Sequence, residues 1–280
     1  MKSFIRSEMK MKSNLVYYFQ LILLFLSFLN GNGNANGIIG VQLNENELIN
    51  WFPYQAPHTI RALSLTTRNI YAIDAHTFDM YYNLDTLYLS ENKIERLDER
   101  TFGELRVLRK LDLGHNRLSS TISKRLLESQ RLLVDLNLEN NFIRTIEFNA
   151  FEATISLSKL NLAFNQLSHI DAGLFKGLTL SELNLSGNQL MNLEARTFLL
   201  PNLQGLYLSH NKLSDLNEQT FFGAENLRYL YLNNNSLSRI GNGTFGQLKK
   251  LFTLRLDSNP ITFDLPATTN WLSYILNFNY

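Results

Sequence analysis

Leucines alternate with polar residues in a motif that recurs along most of the chain. Its clearest copy runs from Leu180 to Leu190 and has the form L-x-x-L-x-L-x-x-N-x-L. Side chains alternate between the two faces of a strand, so Leu183 and Leu185 point to the same side of an extended segment. The intervening Asn184 points to the opposite side. Each copy of the motif therefore predicts one short strand with a leucine face and a polar face.

The asparagine of the motif directly follows the strand. An amide at this point can pair with backbone groups that the turn leaves without partners, which predicts a structural role for it. A degenerate first copy has Arg68 at the same place. The intervals between successive asparagines are 23 to 25 residues, and the positions are Asn92, Asn116, Asn141, Asn165, Asn188, Asn211, Asn235 and Asn259.

A fixed period over nine copies is characteristic of a repeat architecture. Each copy adds one strand about 4.8 Å from the last, and neighbouring copies bury each other's leucines, which a single copy cannot do alone. We therefore predict a solenoid with a continuous parallel sheet over residues 60–262.

The second half of each repeat is also patterned. An isoleucine or leucine stands five residues after the asparagine and a phenylalanine ten residues after it, as Ile170 and Phe175 do after Asn165. We expect the phenylalanines to stack beneath the outer side, among short helical turns and irregular loops. The third copy departs from this pattern because Leu126 replaces the phenylalanine, and a helical turn is predicted over residues 123–129.

These motifs resemble the typical extracellular subtype of the leucine-rich repeat family over about residues 60–263. The resemblance implies an α/β solenoid, a curved horseshoe with a parallel concave β-sheet of about nine strands and a mostly irregular or short-helical convex side. It also implies binding of proteins or other ligands rather than catalysis. The composition and ends are similar to insect leucine-rich immune proteins and to Toll-like receptor ectodomains. Phe263 and Leu265, however, stand where the family's C-terminal flank has its first two cysteines.

The N-terminus is typical of an export signal. Four basic residues precede a 15-residue apolar run, Leu15 to Leu29, and small residues suited to cleavage follow it. We predict a signal peptide over residues 1–35, and the alternative is an uncleaved signal anchor in a membrane. Residues 36–59 are predicted to form an N-terminal cap, residues 60–262 the repeats, and residues 263–280 a short cysteine-free C-terminal cap.

Composition excludes several classes of function. The chain has 280 residues and a formal net charge of +1, so it lacks the basic footprint of a nucleic-acid-binding protein. The absence of cysteine excludes disulfides, thiolate zinc sites and cysteine nucleophiles. No pattern of catalytic, cofactor-binding or metal-ligating residues is present, and the five histidines are interpreted as surface residues. We therefore expect no enzyme activity, no cofactor and no metal.

Ligand binding is predicted on the polar face of the sheet. The C-terminal third of this face is rich in tyrosine and arginine, which are enriched at binding hot spots. The alternative is that aromatic residues simply suit strands and pack against each other across a sheet. The predicted ligand-binding residues are Tyr88, Asp112, Phe164, Tyr207, Arg228, Tyr229, Tyr231 and Arg255.

Three N-glycosylation sequons are present, at Asn184, Asn234 and Asn242. Asn184 matters most, because its side chain should project from the middle of the polar face. A glycan there would obstruct binding at mid-sheet and favour the C-terminal third. Without a glycan, Asn137, Asn161 and Asn184 should form one open polar stripe.

These features predict a secreted, non-enzymatic protein that uses its repeats to bind a macromolecule. We expect a protein partner, such as a receptor, an immune factor or a pathogen component. Nucleic acid is not expected, nor is a membrane span once the signal is removed. Innate immunity is the first specific hypothesis, by resemblance. The alternatives are an extracellular adhesion or guidance module and a structural matrix protein.

Overall fold

The structure, a computed structural model, describes residues 40–241 and 243–261. The predicted signal peptide and the predicted C-terminal cap lie outside the described residues, and so do Phe263, Leu265 and Asn242. Within the ranges that are described, no helix combines the length and the apolar character needed to cross a bilayer.

Every repeat contributes a short strand, and several repeats contribute a second short element. In the described ranges the helical elements are helix α1 (Glu45–Trp51) and the 3-10 turns Pro57–Thr59, Asp79–Tyr81 and Lys124–Leu127. The strands in chain order are β1 (Val41–Leu43), β2 (Ala62–Ser64), β3 (Ile70–Ile73), β4 (Thr86–Tyr88), β5 (Arg96–Leu97), β6 (Lys110–Asp112), β7 (Asp135–Asn137), β8 (Lys159–Asn161), β9 (Glu182–Asn184), β10 (Gly205–Tyr207), β11 (Asp215–Leu216), β12 (Tyr229–Tyr231), β13 (Arg239–Ile240) and β14 (Thr253–Arg255).

The main sheet of the described residues has nine parallel strands, in the order β2, β4, β6, β7, β8, β9, β10, β12 and β14. Strands that are adjacent in the sheet come from consecutive repeats, and equivalent residues pair without a register shift, as Leu183 does with Leu206. The predicted solenoid with one continuous parallel sheet is confirmed.

The motif leucines fill the interior of the solenoid. Leu183 and Leu185 have no exposed surface, and neither do Leu206 and Leu208 of the next repeat. Removing one such side chain from water contributes about 1.5–3 kcal/mol. A single repeat would leave these leucines facing water, so the fold depends on the stacking of neighbours.

The motif asparagines link each repeat to the one before it. Oδ1 of Asn188 accepts from the N–H of Leu167 at 3.0 Å, and its Nδ2 donates to the carbonyls of Leu162 and Leu185 at 2.9 and 3.0 Å. The same three kinds of hydrogen bond recur at every motif asparagine from Asn92 to Asn259. The predicted structural role of these amides is confirmed.

The phenylalanines of the outer half form a buried column, as predicted. Four neighbouring pairs have ring centroids 5.9–6.4 Å apart and ring planes within 20° of parallel. In the third repeat Leu126 takes the place of the ring, and the turn Lys124–Leu127 lies within the predicted helical segment. The buried phenylalanines are Phe78, Phe102, Phe151, Phe175, Phe198, Phe221 and Phe245.

The outer half also contains short strands, which the motif did not predict. Strands β1, β3 and β5 form one small parallel sheet, and β11 pairs with β13. They include the position five residues after the asparagine, for example Ile73 opposite Leu97. Isoleucine and leucine are buried or partly buried there and suit an extended backbone, so neighbouring repeats also pair along this side.

The N-terminal segment packs on the first repeat. Helix α1 begins after Asn44, whose side chain accepts a backbone N–H of the first turn at 3.0 Å. Leu43 and Leu48 on this segment are fully buried. The guanidinium carbon of Arg68 lies 5.1 Å from the ring centroid of Trp51, and burial lowers the pKa of Arg68. Among the described residues β2 is the edge strand of the main sheet, so an amide at position 68 would lack the preceding-strand carbonyl that the later asparagines bond.

Replacing Asn188 by alanine tests the link between repeats. Asn188→Ala leaves a buried N–H and two carbonyls without this partner, so the free energy of unfolding should fall by about 3 kcal/mol. Urea denaturation measures the change. The matched control is the exposed neighbour, Gln189→Ala, which should shift the same quantity by less than about 0.5 kcal/mol. Equal, small effects of the two substitutions would contradict the linking role.

Candidate binding face

The outward side chains of the nine main strands form one surface, which we call the sheet face. Because the strands pair in register, their mid-strand side chains form a row with a spacing of about 4.8 Å. Five of the predicted ligand-binding residues stand in this row. In order it reads Ser64, Tyr88, Asp112, Asn137, Asn161, Asn184, Tyr207, Tyr231 and Arg255.

A second row lies at the turn after the strands and has a left-handed backbone in every repeat. Its φ values lie between 53° and 68°. This conformation costs an L-residue about 1–2 kcal/mol, and glycine and asparagine adopt it most readily. Phe164 is the one large apolar side chain in the row, and it is 52% exposed. The row reads Thr67, Glu91, His115, Asn140, Phe164, Gly187, His210, Asn234 and Ser258.

The ring of Phe164 lies across Gly187 of the next repeat. A β-carbon at Gly187 would stand 2.4 Å from Cδ1 of Phe164, so the glycine leaves the space that the ring occupies. The N–H of Phe164 donates to the carbonyl of Ser186 at 2.7 Å. The ring is thereby held against the end of strand β9 while about half of its side chain stays in solvent.

Two of the three amides at the centre of the sheet face have hydrogen-bond partners within the protein. Nδ2 of Asn137 donates to Asp112 at 2.9 Å, and Nδ2 of Asn161 donates to Glu139 at 2.9 Å. Each Oδ1 also accepts the backbone N–H two residues further on. Carboxylates 25 and 22 residues earlier thus hold these two amides, and the open polar stripe, which depends on an Asn184 without a glycan, stays a prediction.

Asn184 differs from its two neighbours in the row. Its Oδ1 accepts the N–H of Ser186 at 3.1 Å, so the amide leans toward the end of the strand. Glu139, which holds the amide of Asn161, lies two residues after the mid-strand residue of the preceding repeat. The equivalent residue for Asn184 is Ala163, and alanine offers no side-chain acceptor. Among the residues that the structure describes, Nδ2 of Asn184 has no hydrogen-bond partner.

Charged pairs occupy the N-terminal and central parts of the sheet face. Nζ of Lys110 lies 3.2 Å from Asp135 and 5.6 Å from the ring centroid of Tyr88. The hydrogen bond to Asp135 raises the pKa of Lys110. Lys159 and Glu182 form a looser pair at 3.6 Å. Tyr88, a predicted ligand-binding residue, therefore has an intramolecular partner.

Four aromatic side chains lie together near the C-terminal end of the sheet face: Tyr207, Tyr229, Tyr231 and Phe252. We call them the aromatic patch. Tyr207 and Tyr231 stack with centroids 5.1 Å apart, and Tyr229 meets Phe252 edge to face at 6.2 Å. Tyr207 leans back over Gly205, where an added β-carbon would stand 3.2 Å from its ring. Phe252 is 74% exposed and Tyr229 is 38% exposed.

Two arginines flank the aromatic patch, and their surroundings differ. Arg255 donates twice to Asp257, at 3.0 and 2.9 Å, and this interaction raises the pKa of Arg255. Arg228 is exposed and forms no ion pair with any residue of the described ranges. Burial, and next the negative charge of Glu182, raises the pKa of Tyr207, so its hydroxyl stays protonated at neutral pH. The charge available to a ligand is therefore that of Arg228.

Phe252 is not among the ligand-binding residues predicted from the sequence, although the repeat period indicates it. Phe252 stands 24 residues after Arg228, in the same outward position just before the strand. Applying the repeat period to the residues that flank each strand, as well as to the mid-strand residue, identifies Phe252. Of the other predicted residues, Tyr88, Asp112 and Phe164 lie on different parts of the sheet face and not in the aromatic patch.

The remaining sequons and histidines have local structural settings. Asn234 belongs to the left-handed row, with a φ of 55°, so its backbone supplies a structural reason for asparagine at this position. Nδ1 of His115 lies 2.7 Å from Nδ2 of Asn140 in the same row. In residues 40–241 and 243–261, no group of three acidic or histidine side chains is arranged to hold a metal ion.

The repeats match a known family in sequence. A family model described as leucine rich repeat matches residues 58–118, 131–190, 179–237 and 201–261, which together exceed half of the chain. Lumican of Gallus gallus is 33% identical over 125 residues, covering 44% of this chain and 35% of lumican. The chain thus aligns with about a third of the length of this curated relative.

Two solved structures share the fold with a TM-score of 0.69. One is the complex of TLR13 with ssRNA13, at 33% identity, covering 73% of this chain and 29% of that chain. The other is the octameric complex of Latrophilin 3, Unc5D and the leucine-rich repeat part of FLRT2, at 29% identity, covering 77% of this chain and 67% of that chain.

Stacking in the aromatic patch can be measured by a double-mutant cycle. Tyr207→Leu and Tyr231→Leu should show a coupling of about 1 kcal/mol in the free energy of unfolding, because each substitution removes the same ring contact. Tyr207→Leu combined with Tyr88→Leu is the control, since these residues lie in the same row but far apart. That pair should be additive within about 0.5 kcal/mol. Additivity in both cycles would contradict the stacked arrangement.

Proposed function

The chain belongs to the leucine-rich repeat family, and on that premise we propose that it is an extracellular recognition protein without catalytic activity. It binds a protein partner through the C-terminal third of its sheet face. The observation that carries this proposal is the aromatic patch with Arg228 beside it. Exposed tyrosine, phenylalanine and arginine side chains are typical of the residues that dominate binding energy at interfaces.

The rest of the sheet face is less suited to a partner. Asp112, Asn137 and Asn161 already form hydrogen bonds within the protein. Asn137 donates to Asp112, Asn161 donates to Glu139, and all three accept from nearby backbone N–H groups. Lys110 is engaged by Asp135. A partner at these positions would have to replace existing interactions, whereas the aromatic patch and Arg228 offer surface that is already exposed.

The scaffold also favours tight recognition. The patch side chains stand on or beside strands β10, β12 and β14, which pair in register within the main sheet. Side chains on a rigid sheet lose less conformational entropy on binding than side chains on a mobile loop. Tyrosine adds large contact area with few rotatable bonds.

A protein partner is favoured over RNA by the charge on this face. The TLR13 structure is a complex with ssRNA13, so the fold accommodates RNA in that protein. Here three cations of the sheet face are paired with carboxylates, in the pairs Lys110–Asp135, Lys159–Glu182 and Arg255–Asp257. Binding to RNA requires cations that neutralise phosphates. The FLRT2 repeats, by contrast, take part in an assembly with two other proteins.

The biological setting has three candidates, and a structural matrix role is the third beside the two that follow. An innate-immune role is the first specific hypothesis, from the resemblance to insect leucine-rich immune proteins. The assembly of the FLRT2 repeats with Latrophilin 3 and Unc5D supports the alternative, an adhesion or guidance module. Induction of the transcript after microbial challenge would favour the first. A constitutive partner on unchallenged cells would favour the second.

Export can be tested with the full chain in eukaryotic cells. The protein should appear in the medium with a new N-terminus near residues 34–36, because the apolar run Leu15 to Leu29 follows a basic leader. N-terminal sequencing of the purified protein measures this. Retention in the cell with residues 2–29 intact would overturn secretion and support a signal anchor.

The aromatic patch can be tested once a partner is captured from medium or cell surfaces by cross-linking and mass spectrometry. The variant Arg228→Ala/Tyr229→Ala/Phe252→Ala should weaken binding about 30-fold or more, since loss of a hot spot costs about 2 kcal/mol. Surface plasmon resonance measures the dissociation constant, and thermal unfolding checks that the variant folds.

A matched control removes the same chemistry at the other end of the sheet face. The variant Arg61→Ala/Tyr88→Ala also loses an arginine and a tyrosine, and its binding should change less than about threefold. If this control loses binding while the patch variant retains it, the site lies at the N-terminal end. Capture of RNA instead of protein would overturn the proposed class of partner.

A further inference from the structure

The amide nitrogen of Asn184 is set apart from its neighbours in the mid-strand row. Asn137 and Asn161 each donate to a carboxylate on the preceding repeat. The two carboxylates take different positions in their repeats, and the equivalent positions before Asn184 are Asn161 and Ala163, neither of which carries a carboxylate. Within the described part of the chain, Nδ2 of Asn184 therefore lacks the partner that holds the other two amides.

The same nitrogen lies in a sequence that can be modified. Asn184-Leu185-Ser186 is an N-glycosylation sequon, whereas Asn161 is followed two residues later by Ala163 and Asn137 by Glu139. Of the three mid-strand asparagines, the one with the unpaired amide is thus the one with the sequon. Glycosylation joins the sugar to Nδ2, so the hydrogen bond between Oδ1 and the N–H of Ser186 can remain.

Phe164 lies beside the two residues that follow the Asn184 strand. The hydrogen bond to Ser186 tilts the Asn184 amide toward the strand end. The N–H of Phe164 donates to the carbonyl of that same Ser186, and its ring lies over the adjacent Gly187. The amide and the ring therefore converge on residues 186–187 from two neighbouring repeats.

We propose that Asn184 carries an N-linked glycan whose first sugar packs on the exposed ring of Phe164. The C–H groups of a pyranose ring carry partial positive charge, and they complement the negative face of an aromatic ring. This role accounts for a large apolar side chain at a left-handed position where the other repeats have small or polar residues. It also accounts for glycine at 187, because any β-carbon there would collide with the ring.

The position of Phe164 in the turn after the strand places the proposed first sugar away from the ring of Tyr207. Asn184 is directly opposite Tyr207 in the sheet, so a glycan at Asn184 begins close to that residue. However, Tyr207 leans toward the start of its strand, over Gly205, whereas Asn184 leans toward the end of its strand. A first sugar packed on Phe164 would therefore lie on the other side of the mid-strand row from the ring of Tyr207.

Occupancy is the first test, and this inference rests on the proposed export because N-glycosylation occurs in the secretory pathway. The full chain secreted from eukaryotic cells should give an Asn184 glycopeptide by mass spectrometry. Ser186→Ala should abolish it while retaining Asn184. An unmodified Asn184 in a secreted protein that carries sugar at Asn234 or Asn242 would overturn the inference alone. Retention of the chain with all three sites bare would overturn export as well.

The second test asks whether the sugar contacts the ring. In the parent protein, Ser186→Ala should lower the melting temperature by about 2–4 °C, since the contact with Phe164 is lost. In a Phe164→Leu background the same substitution should lower it by less than about 1 °C. Leucine keeps the β-carbon, so the backbone strain at this left-handed position is retained and only the aromatic face is removed.

A matched control separates the ring contact from general effects of a phenylalanine. Phe142 is also exposed, at 47%, but it lies after a motif asparagine and not in the left-handed row. In a Phe142→Leu background, Ser186→Ala should have its full effect. If Ser186→Ala lowers the melting temperature equally with phenylalanine and with leucine at position 164, the glycan does not pack on Phe164 and the inference fails.

Discussion

The hydrogen bonds from the motif asparagines to the backbone set the positions of the other elements. Each asparagine ties the end of its own strand to the turn and strand of the preceding repeat, as Asn188 does with Leu185, Leu162 and Leu167. These bonds fix both the spacing and the register of neighbouring strands. The in-register leucines then close the core on one side of the sheet, and the outward side chains form rows on the other.

The periodic part of the fold could be read from the sequence because it depends on residues at a constant spacing. Alternation along a strand placed Tyr207 and Tyr231 in one row, and pairing in the sheet puts their rings 5.1 Å apart. Interactions that depend on one particular neighbour could not be predicted in this way. The bonds from Asn137 to Asp112 and from Asn161 to Glu139 join residues of different repeats with no common motif. A period identifies a row, but not which of its members have partners.

That distinction decides which part of the sheet face can recognise a partner. Polar side chains at the centre are satisfied internally, and replacing one would leave another without its hydrogen bond. The rings of Tyr229 and Phe252 are exposed, and contact with them breaks no such hydrogen bond. Arg228 likewise has no ion pair among the described residues. Recognition on this scaffold therefore depends less on how polar a residue is than on whether its side chain already has a partner within the protein.

The asparagine ladder also has a direction. The long-range partners of each motif asparagine precede it in the chain, by 21 to 28 residues. A ribosome releases the chain from its N-terminus, so each repeat emerges after the groups that its asparagine needs. The array can therefore be assembled one repeat at a time during translation. Arg68 is consistent with this order, because in the described residues no strand of the main sheet precedes its repeat.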